Sequence, residues 1–170
     1  MRTGMIILLV FFIFGLQGQN IQDSSKKLTA YVSKKKTYQV DFDKEQWQIL
    51  DKTTDWDVEF RDTHDLISVY FKELGYFIAP DKLKQTIKAQ FEDIGKVRNL
   101  KIYKRKLRYL TVDYFECELK YKGYNYKYQG FVYDNGRSGS VELQFGGEEE
   151  NVRRLLGLID EFCNNFREVK

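Results

Sequence analysis

The only histidine of the chain, His64, stands between two carboxylates in the run Asp62-Thr63-His64-Asp65. An imidazole beside carboxylates could act as an acid–base pair or contribute to a metal site. The same four residues are also typical of a hairpin tip, because Asp and Thr side chains bond nearby backbone groups. Since a motif this short recurs by chance, the sequence favours the hairpin tip and predicts neither a catalytic histidine nor a metal site.

A serine nucleophile is not indicated either. The segment Gly136-Arg137-Ser138-Gly139-Ser140 departs from the G-x-S-x-G pattern, and it follows a hairpin signal rather than a strand-to-helix turn. We therefore expect a non-catalytic protein without a cofactor. A small hydrolase that uses only carboxylates remains the least favoured alternative, because paired carboxylates are recognised by geometry rather than by spacing.

Two cysteines, Cys117 and Cys163, lie on the apolar faces of a predicted strand and a predicted helix. In an oxidising compartment they could pair, and a disulfide joining helix to sheet would contribute roughly 4 kcal/mol. The alternative is two buried thiols, since free cysteine is among the most buried residue types. The sequence leaves both interpretations open.

The most basic window runs from Lys96 to Arg108 and contains no acidic residue. One interpretation is a surface for an anionic partner, such as an acidic glycan or the head groups of an anionic membrane contacted peripherally. The favoured interpretation is an edge strand that its charge protects from pairing. The net charge of the whole chain is only +3, which together with the export argued below speaks against nucleic acid. The candidate residues are Lys101, Lys104, Arg105, Lys106 and Arg108.

Seven tyrosines fall between Tyr109 and Tyr133, and three of them, Tyr124, Tyr126 and Tyr128, alternate along one predicted strand. Such a row could stack on a sugar or form a protein contact, because each ring combines an apolar body with a polar tip. It could also cover the half-exposed side of a sheet, which is the interpretation that the sequence favours.

The N-terminus has the layout of a secretory signal peptide. Arg2 precedes an apolar run of twelve residues, Met5 to Leu16, and Gly18 offers a small residue for cleavage. The run is short against the ~20 residues that a membrane-spanning helix needs, which favours cleavage over an anchor. We predict a signal peptide at residues 1–18, a flexible lead-in at 19–36, and a single domain at 37–170 in a periplasmic or secreted protein.

The remaining pattern predicts an α+β domain. Apolar residues alternate in the segment 38–42, in both arms of a hairpin at 58–72 and in a three-strand meander at 111–145. Apolar residues at three- and four-residue steps predict a helix from Pro80 to Ile94 and a second from Glu148 to Phe166. We therefore expect an antiparallel sheet with two amphipathic helices packed on it.

The order of these elements resembles the PsbP-like family. The segment Y-Q-V-D-F-D-K-E-Q-W, Tyr38 to Trp47, is similar to the family's first strand, turn and tryptophan. The region from Leu66 through the first helix is similar in order and length, and V-E-L-Q-F-G-G from Val141 with the last helix is similar to the family's ending. Asp43 stands where the family often has proline. No metal or ligand residue of the family matches a position of this chain.

The resemblance implies an exported, non-enzymatic binding or accessory domain of the cell envelope. Its partner would be a protein or another envelope component, including a glycan or a lipid. A protein-interaction or inhibitor domain, of the immunity type, and a structural domain are the alternatives that remain.

Overall fold

The computed structural model describes residues 27–50 and 55–169 of the chain. The predicted signal peptide, residues 1–18, and the first part of the predicted lead-in, residues 19–26, lie outside the described residues. Within the described part, no helix is both long and apolar enough to cross a membrane. The elements in chain order are β1 (Leu28–Val32), β2 (Tyr38–Asp43), β3 (Trp47–Leu50), β4 (Val58–Asp62), β5 (Ile67–Glu73), α1 (Leu83–Glu92), β6 (Lys96–Lys106), β7 (Thr111–Tyr121), β8 (Tyr124–Asp134), β9 (Ser140–Glu148), α2 (Glu149–Arg154), α3 (Leu156–Asn164) and β10 (Phe166–Glu168).

The described strands form two antiparallel sheets. The larger has the order β3-β4-β5-β9-β8-β7-β6, and the smaller has the order β1-β2-β10. One non-local step creates the larger sheet, because β9 pairs with β5 on one side and with β8 on the other. The meander β6 to β9 is thereby joined to the first half of the chain, which confirms the predicted antiparallel α+β class.

The main core lies between the large sheet and a layer formed by the small sheet with α2 and α3. We call this side of the large sheet the core face. Strand alternation places one apolar set there, which explains why the period-two pattern was readable in the sequence. Aromatic rings meet edge-on across the layers, for example Phe60 and Phe162 with centroids 5.1 Å apart. The fully buried residues of the main core include Phe60, Val69, Phe71, Leu143, Phe145, Phe131, Ile159, Cys163 and Phe166.

The opposite side of the large sheet, which we call the α1 face, is only partly covered. Leu83, Ile87 and Phe91 of α1 pack on apolar residues of β7 and β8. Because α1 has ten residues and is therefore ~15 Å long, it covers only one part of this face. The strip formed by β4, β5 and β9 presents polar and aromatic side chains instead.

The predicted flexible lead-in contains a strand. β1 pairs with β2 over its whole length, from Leu28 opposite Asp43 to Val32 opposite Gln39. Tyr31 anchors it, because its ring lies edge-on against Phe60 at a centroid distance of 5.5 Å. The domain therefore starts before residue 37, and the prediction was wrong for the described part of the lead-in.

The predicted last helix is two helices and a strand. The chain leaves helical geometry at Leu155, between α2 and α3, and Gly157 follows shortly after the break. Glycine is a weak helix former, and Val152 of α2 and Ile159 of α3 are both fully buried in the core on either side of the break. Phe166, predicted on the helical stripe, instead starts β10, opposite Val40 of β2.

The other predicted helix starts later and ends earlier than expected. Pro80 lies in the turn before α1, whose first residue is Leu83. Ile94 lies beyond the end of α1 and is exposed, whereas Gly95 directly follows it as a terminating residue would. The three apolar residues that α1 does contain are all buried, so the face was predicted correctly.

Candidate functional site

An open groove of about 560 Å³ lies on the uncovered strip of the α1 face. Cross-strand pairing builds its floor, because Ser68 of β5 pairs with Gly146 of β9, and Gly146 pairs in turn with Tyr128 of β8. The next row along the strands joins Tyr70 to Gln144. We call this the aromatic groove; its lining includes Arg61, Ser68, Tyr70, Tyr126, Tyr128 and Gly146.

Aromatic rings form the walls of the groove. The Tyr128 ring lies over Gly146, where a Cβ atom would come within 2.4 Å of its Cε1 atom. On its other side Tyr128 contacts Phe91 of α1, with ring centroids 4.7 Å apart. Trp56 lies 5.4 Å from Tyr70 between centroids and beneath the Lys72 ammonium at 5.8 Å. The absence of a side chain at Gly146 is therefore what allows the tyrosine ring to lie flat on the sheet.

A paired set of charges closes one end of the groove. The Arg61 guanidinium donates to Glu59 at 2.8 Å and lies 3.0 Å from Asp65. The Ser68 hydroxyl also donates to Glu59, at 2.9 Å. One guanidinium thus lies between two carboxylates, so this end presents fixed hydrogen-bonding atoms and no uncompensated positive charge.

Tyr70 and Tyr128 of the groove keep their hydroxyl protons at neutral pH. Burial, with smaller contributions from Tyr70, Tyr126 and Cys117, raises the pKa of Tyr128 to about 12. Burial also raises the pKa of Tyr70, a shift that the nearby Ser68 hydroxyl partly opposes. At neutral pH the groove therefore offers a cluster of neutral hydroxyls that both donate and accept hydrogen bonds.

The groove combines fixed hydrogen-bonding groups with flat aromatic surface. Among the described residues, no group of three histidine, cysteine or carboxylate side chains is placed to hold a metal ion. The carboxylate of Glu59 is held by Arg61 and Ser68, an arrangement that fixes it as an acceptor. Flat aromatic surface beside rigid donors and acceptors suits an uncharged, polar ligand with an apolar face.

The structure separates the predicted tyrosine row. Tyr126 and Tyr128 line the aromatic groove. Tyr124 lies at the start of β8, is 61% exposed, and borders a different depression near Glu149 and Arg153. The tyrosines do share one face, as predicted, but α1 and the aromatic groove divide that face.

The basic window lies apart from the groove, at the far edge of the large sheet. β6 is the edge strand, as the favoured interpretation predicted, and β7 separates it from β8. Lys104 pairs with Asp113 at 2.8 Å and Arg105 with Asp160 at 2.8 Å. The remaining candidates are Lys101, opposite Glu116 in the ladder; Lys106, opposite Thr111; and Arg108, which donates to Asn165 at 3.2 Å.

The two cysteines lie on opposite faces of the large sheet. Cys117 belongs to the cluster beneath α1, whereas Cys163 belongs to the main core. Both thiols are free, so the structure contradicts a disulfide and agrees with the alternative of two buried thiols. Burial raises the pKa of both, that of Cys117 to about 12.

His64 and Ser138, the residues considered first for catalysis, both lie in turns between strands. His64 is exposed at the β4–β5 hairpin tip, where Asp62 accepts hydrogen bonds from the backbone N–H groups of His64, Leu66 and Ile67. Ser138 lies in the β8–β9 turn and its backbone N–H donates to Asn135.

Several residues of the aromatic groove were not singled out from the sequence. Glu59, Arg61 and Tyr70 lie on the sides of β4 and β5 opposite the apolar residues, so alternation alone indicated their face. Trp56 precedes β4, where no alternation indicated its position. What the sequence did not indicate was the pairing of β5 with β9 and of β9 with β8, which brings Tyr70 close to Tyr128.

No protein-family profile and no curated protein matches the sequence. Solved structures do match in fold. One is LpqN of Mycobacterium tuberculosis, described as involved in cell envelope biogenesis, with a TM-score of 0.55, 11% identity, and coverage of 85% of this chain and 91% of that one. A Bacteroides thetaiotaomicron protein has a TM-score of 0.54 at 12% identity, covering 83% of this chain and 48% of that one. Cyanobacterial PsbP from Synechocystis has a TM-score of 0.47 at 16% identity, covering 84% and 93%.

The chain thus has an antiparallel α+β fold that it shares with LpqN over most of both chains. The solved structures that match include a PsbP protein, from the family that the sequence resembles.

Proposed function

We propose that this protein is an exported, non-catalytic binding domain of the cell envelope whose aromatic groove binds an uncharged glycan. The observation that carries the proposal is the convergence of Tyr70, Tyr126 and Tyr128 beside the paired charges of Glu59 and Arg61. Sugar rings present C–H faces that stack on aromatic rings and hydroxyls that bond to fixed donors and acceptors.

The balance of charge in the groove favours a neutral ligand over an acidic one. Arg61 is held between Glu59 and Asp65, so its charge is already compensated. Glu148 also borders the groove and would repel an anionic ligand.

Export and a place in the envelope rest on two supports. The first is the signal-like segment at residues 1–18. The second is the fold shared with LpqN, whose description places that protein in cell envelope biogenesis.

The test is binding of the mature protein to an array of neutral oligosaccharides and to envelope polysaccharide extracted from its own host. Binding should be reduced about fivefold or more by Tyr126→Ala, because an aromatic anchor of an interface contributes over 1 kcal/mol. Tyr109→Ala is the matched control, since Tyr109 is exposed and lies outside the groove.

The proposal fails if neither preparation binds, or if Tyr109→Ala reduces binding as much as Tyr126→Ala. Retention of the signal segment on exported protein, shown by N-terminal sequencing, would contradict cleavage but not the binding site.

A further inference from the structure

Glu148, at the end of β9, lines two depressions on the surface of the protein. One is the aromatic groove, and the other has a volume of about 370 Å³ and lies where β9 meets α2. We call the second one the Tyr124 depression; its lining is Tyr124, Asn125, Glu148, Glu149, Glu150 and Arg153. Tyr126 of the aromatic groove pairs with Glu148 in the strand ladder, so the two depressions adjoin at this pair.

A row of three tyrosines connects the two depressions. Tyr128, Tyr126 and Tyr124 alternate on one side of β8, so the row is about 14 Å long, since an extended strand rises roughly 3.4 Å for each residue. Tyr124 stands at the outer end of the row and is 61% exposed. One sugar ring is shorter than this row, whereas a chain of rings can stack on successive tyrosines along it.

The Tyr124 depression offers hydrogen-bond acceptors beside its aromatic ring. Arg153 donates to Glu149, so the charges of these two groups compensate each other. Glu148 and Glu150 are exposed and form no ion pair with any other residue that the structure describes. An ionised carboxylate accepts hydrogen bonds and cannot donate them, so these two groups suit the hydroxyls of a ligand and disfavour a ligand with negative charge. The depression thus repeats the combination of ring and acceptor found in the aromatic groove.

We propose that the aromatic groove and the Tyr124 depression are consecutive subsites for one linear, uncharged oligosaccharide chain, an inference that rests on the proposed function. Sugar rings stack on Tyr128 and Tyr126 in the groove and on Tyr124 in the depression, and their hydroxyls donate to Glu148. Arg61 with its two carboxylates closes the β4 side of the groove, so the chain leaves the groove at the end of β9. The ligand is therefore a stretch of polysaccharide rather than a single sugar.

The probes are linear oligomers of β-1,4-linked glucose and of β-1,4-linked N-acetylglucosamine, and a size-fractionated partial hydrolysate of neutral envelope polysaccharide from the host. Calorimetric titration of the mature protein should show affinity rising about fivefold or more between a two-ring and a six-ring chain, because the longer chain gains an aromatic contact. Raising the salt concentration should leave the affinity unchanged, since the ligand carries no charge to be screened. Equal affinity at every length overturns this inference and leaves the proposed function standing, whereas absence of binding to all the probes contradicts both. Affinity that falls as salt is raised also overturns the inference.

Tyr124→Ala separates the two subsites. It should weaken binding of the six-ring chain about fivefold or more and leave binding of the two-ring chain unchanged. Tyr76→Ala is the matched control, because Tyr76 is 59% exposed and lies outside both depressions. An equal loss for both chain lengths, or from both variants, overturns the inference.

Nitration of the wild-type protein by tetranitromethane tests the same subsite without a substitution. The six-ring chain should slow nitration of Tyr124, the two-ring chain should not, and nitration of the exposed Tyr76 should be unaffected by either. Peptide mapping by mass spectrometry measures the rate at each tyrosine. Nitration of Tyr124 at the same rate with and without the six-ring chain overturns the inference.

Discussion

Among single residues, Glu142 on the α1 face couples the stability of the fold to pH. It has no exposed surface, its Oε2 atom accepts from Gln90 of α1 at 2.8 Å, and its Oε1 atom has no partner among the described residues. Burial raises the pKa of Glu142 to about 7, against the lowering effects of Gln90 and of Lys72. Because the folded-state pKa lies above the usual value, protonation favours the native state.

We predict that Glu142→Gln removes a pH dependence of stability. The contribution of Glu142 to the free energy of unfolding is fully present below about pH 4.5 and is lost as pH rises through about 7. The wild type should therefore lose stability over that interval. The variant should show a flatter profile and be more stable above pH 7, by an amount on the order of 3 kcal/mol. Urea unfolding at several pH values measures this, with the exposed Glu148→Gln as control. Parallel profiles for wild type and Glu142→Gln would contradict the prediction.

Gly146 is the residue on which the shape of the aromatic groove depends. A methyl group there would collide with the Tyr128 ring, whose nearest atom lies 2.4 Å from the Cβ position. We predict that Gly146→Ala displaces the ring, costs about 1–3 kcal/mol of unfolding free energy and abolishes glycan binding. Near-ultraviolet circular dichroism and urea unfolding report both effects.

The matched control for Gly146 is Gly157 in α3, where an added Cβ atom meets nothing within 4 Å. Gly157→Ala should stabilise the protein by about 0.5–1 kcal/mol, because alanine loses less conformational entropy in a helix. Destabilisation by both substitutions alike would show that glycine flexibility, rather than the Tyr128 ring, is what matters at position 146.

At the scale of the elements, β10 closes the core although it has only three residues. Phe166 is fully buried, stacks on Tyr38 at 5.5 Å and meets Phe131 edge-on at 5.1 Å. We predict that Phe166→Ala lowers the free energy of unfolding by about 3–5 kcal/mol, because it leaves a cavity where both sheets meet. Val169→Ala, just beyond β10, should have a much smaller effect in the same urea titration. A loss below about 1 kcal/mol for Phe166→Ala would show that β10 is dispensable.

The sequence predicted the elements that a local residue pattern determines and missed those that depend on long-range contacts. The strand pattern of β2, β4, β5, β7 and β9 was readable, since alternation expresses which side of each strand is buried. β1 was missed because two contacts with later parts of the chain hold it in place. These are its pairing with β2 and the contact of Tyr31 with Phe60. The last helix was predicted to extend to Phe166 because Phe166 continues the helical spacing by coincidence. In the fold, Phe166 belongs to β10.

At the scale of the whole molecule, the candidate site depends on topology. Arg61, Tyr70, Tyr128 and Gly146 come from four strands, and they meet because β9 lies between β5 and β8. The sequence indicated which face each residue occupies but not the order of the strands, so it identified Tyr126 and Tyr128 without the opposite wall of the groove. The edge position of β6, in contrast, was predicted from charge alone.

The large sheet divides the molecule into two cores of unequal size, and the two free thiols report on them separately. Cys117 lies in the small cluster beneath α1, whereas Cys163 lies in the main core. Burial raises the pKa of both thiols, so neither reacts in the native state and each reacts only when its own core opens.

We predict that iodoacetamide labels Cys117 at lower urea concentration than Cys163, because lifting α1 exposes the first thiol at less cost than global unfolding. Peptide mapping by mass spectrometry after timed labelling of the wild-type protein measures the two rates together. A glycan bound in the aromatic groove should slow the labelling of Cys117, since Phe91 of α1 packs on Tyr128. Equal rates for both thiols at every urea concentration would show instead that α1 and the main core unfold as one cooperative unit.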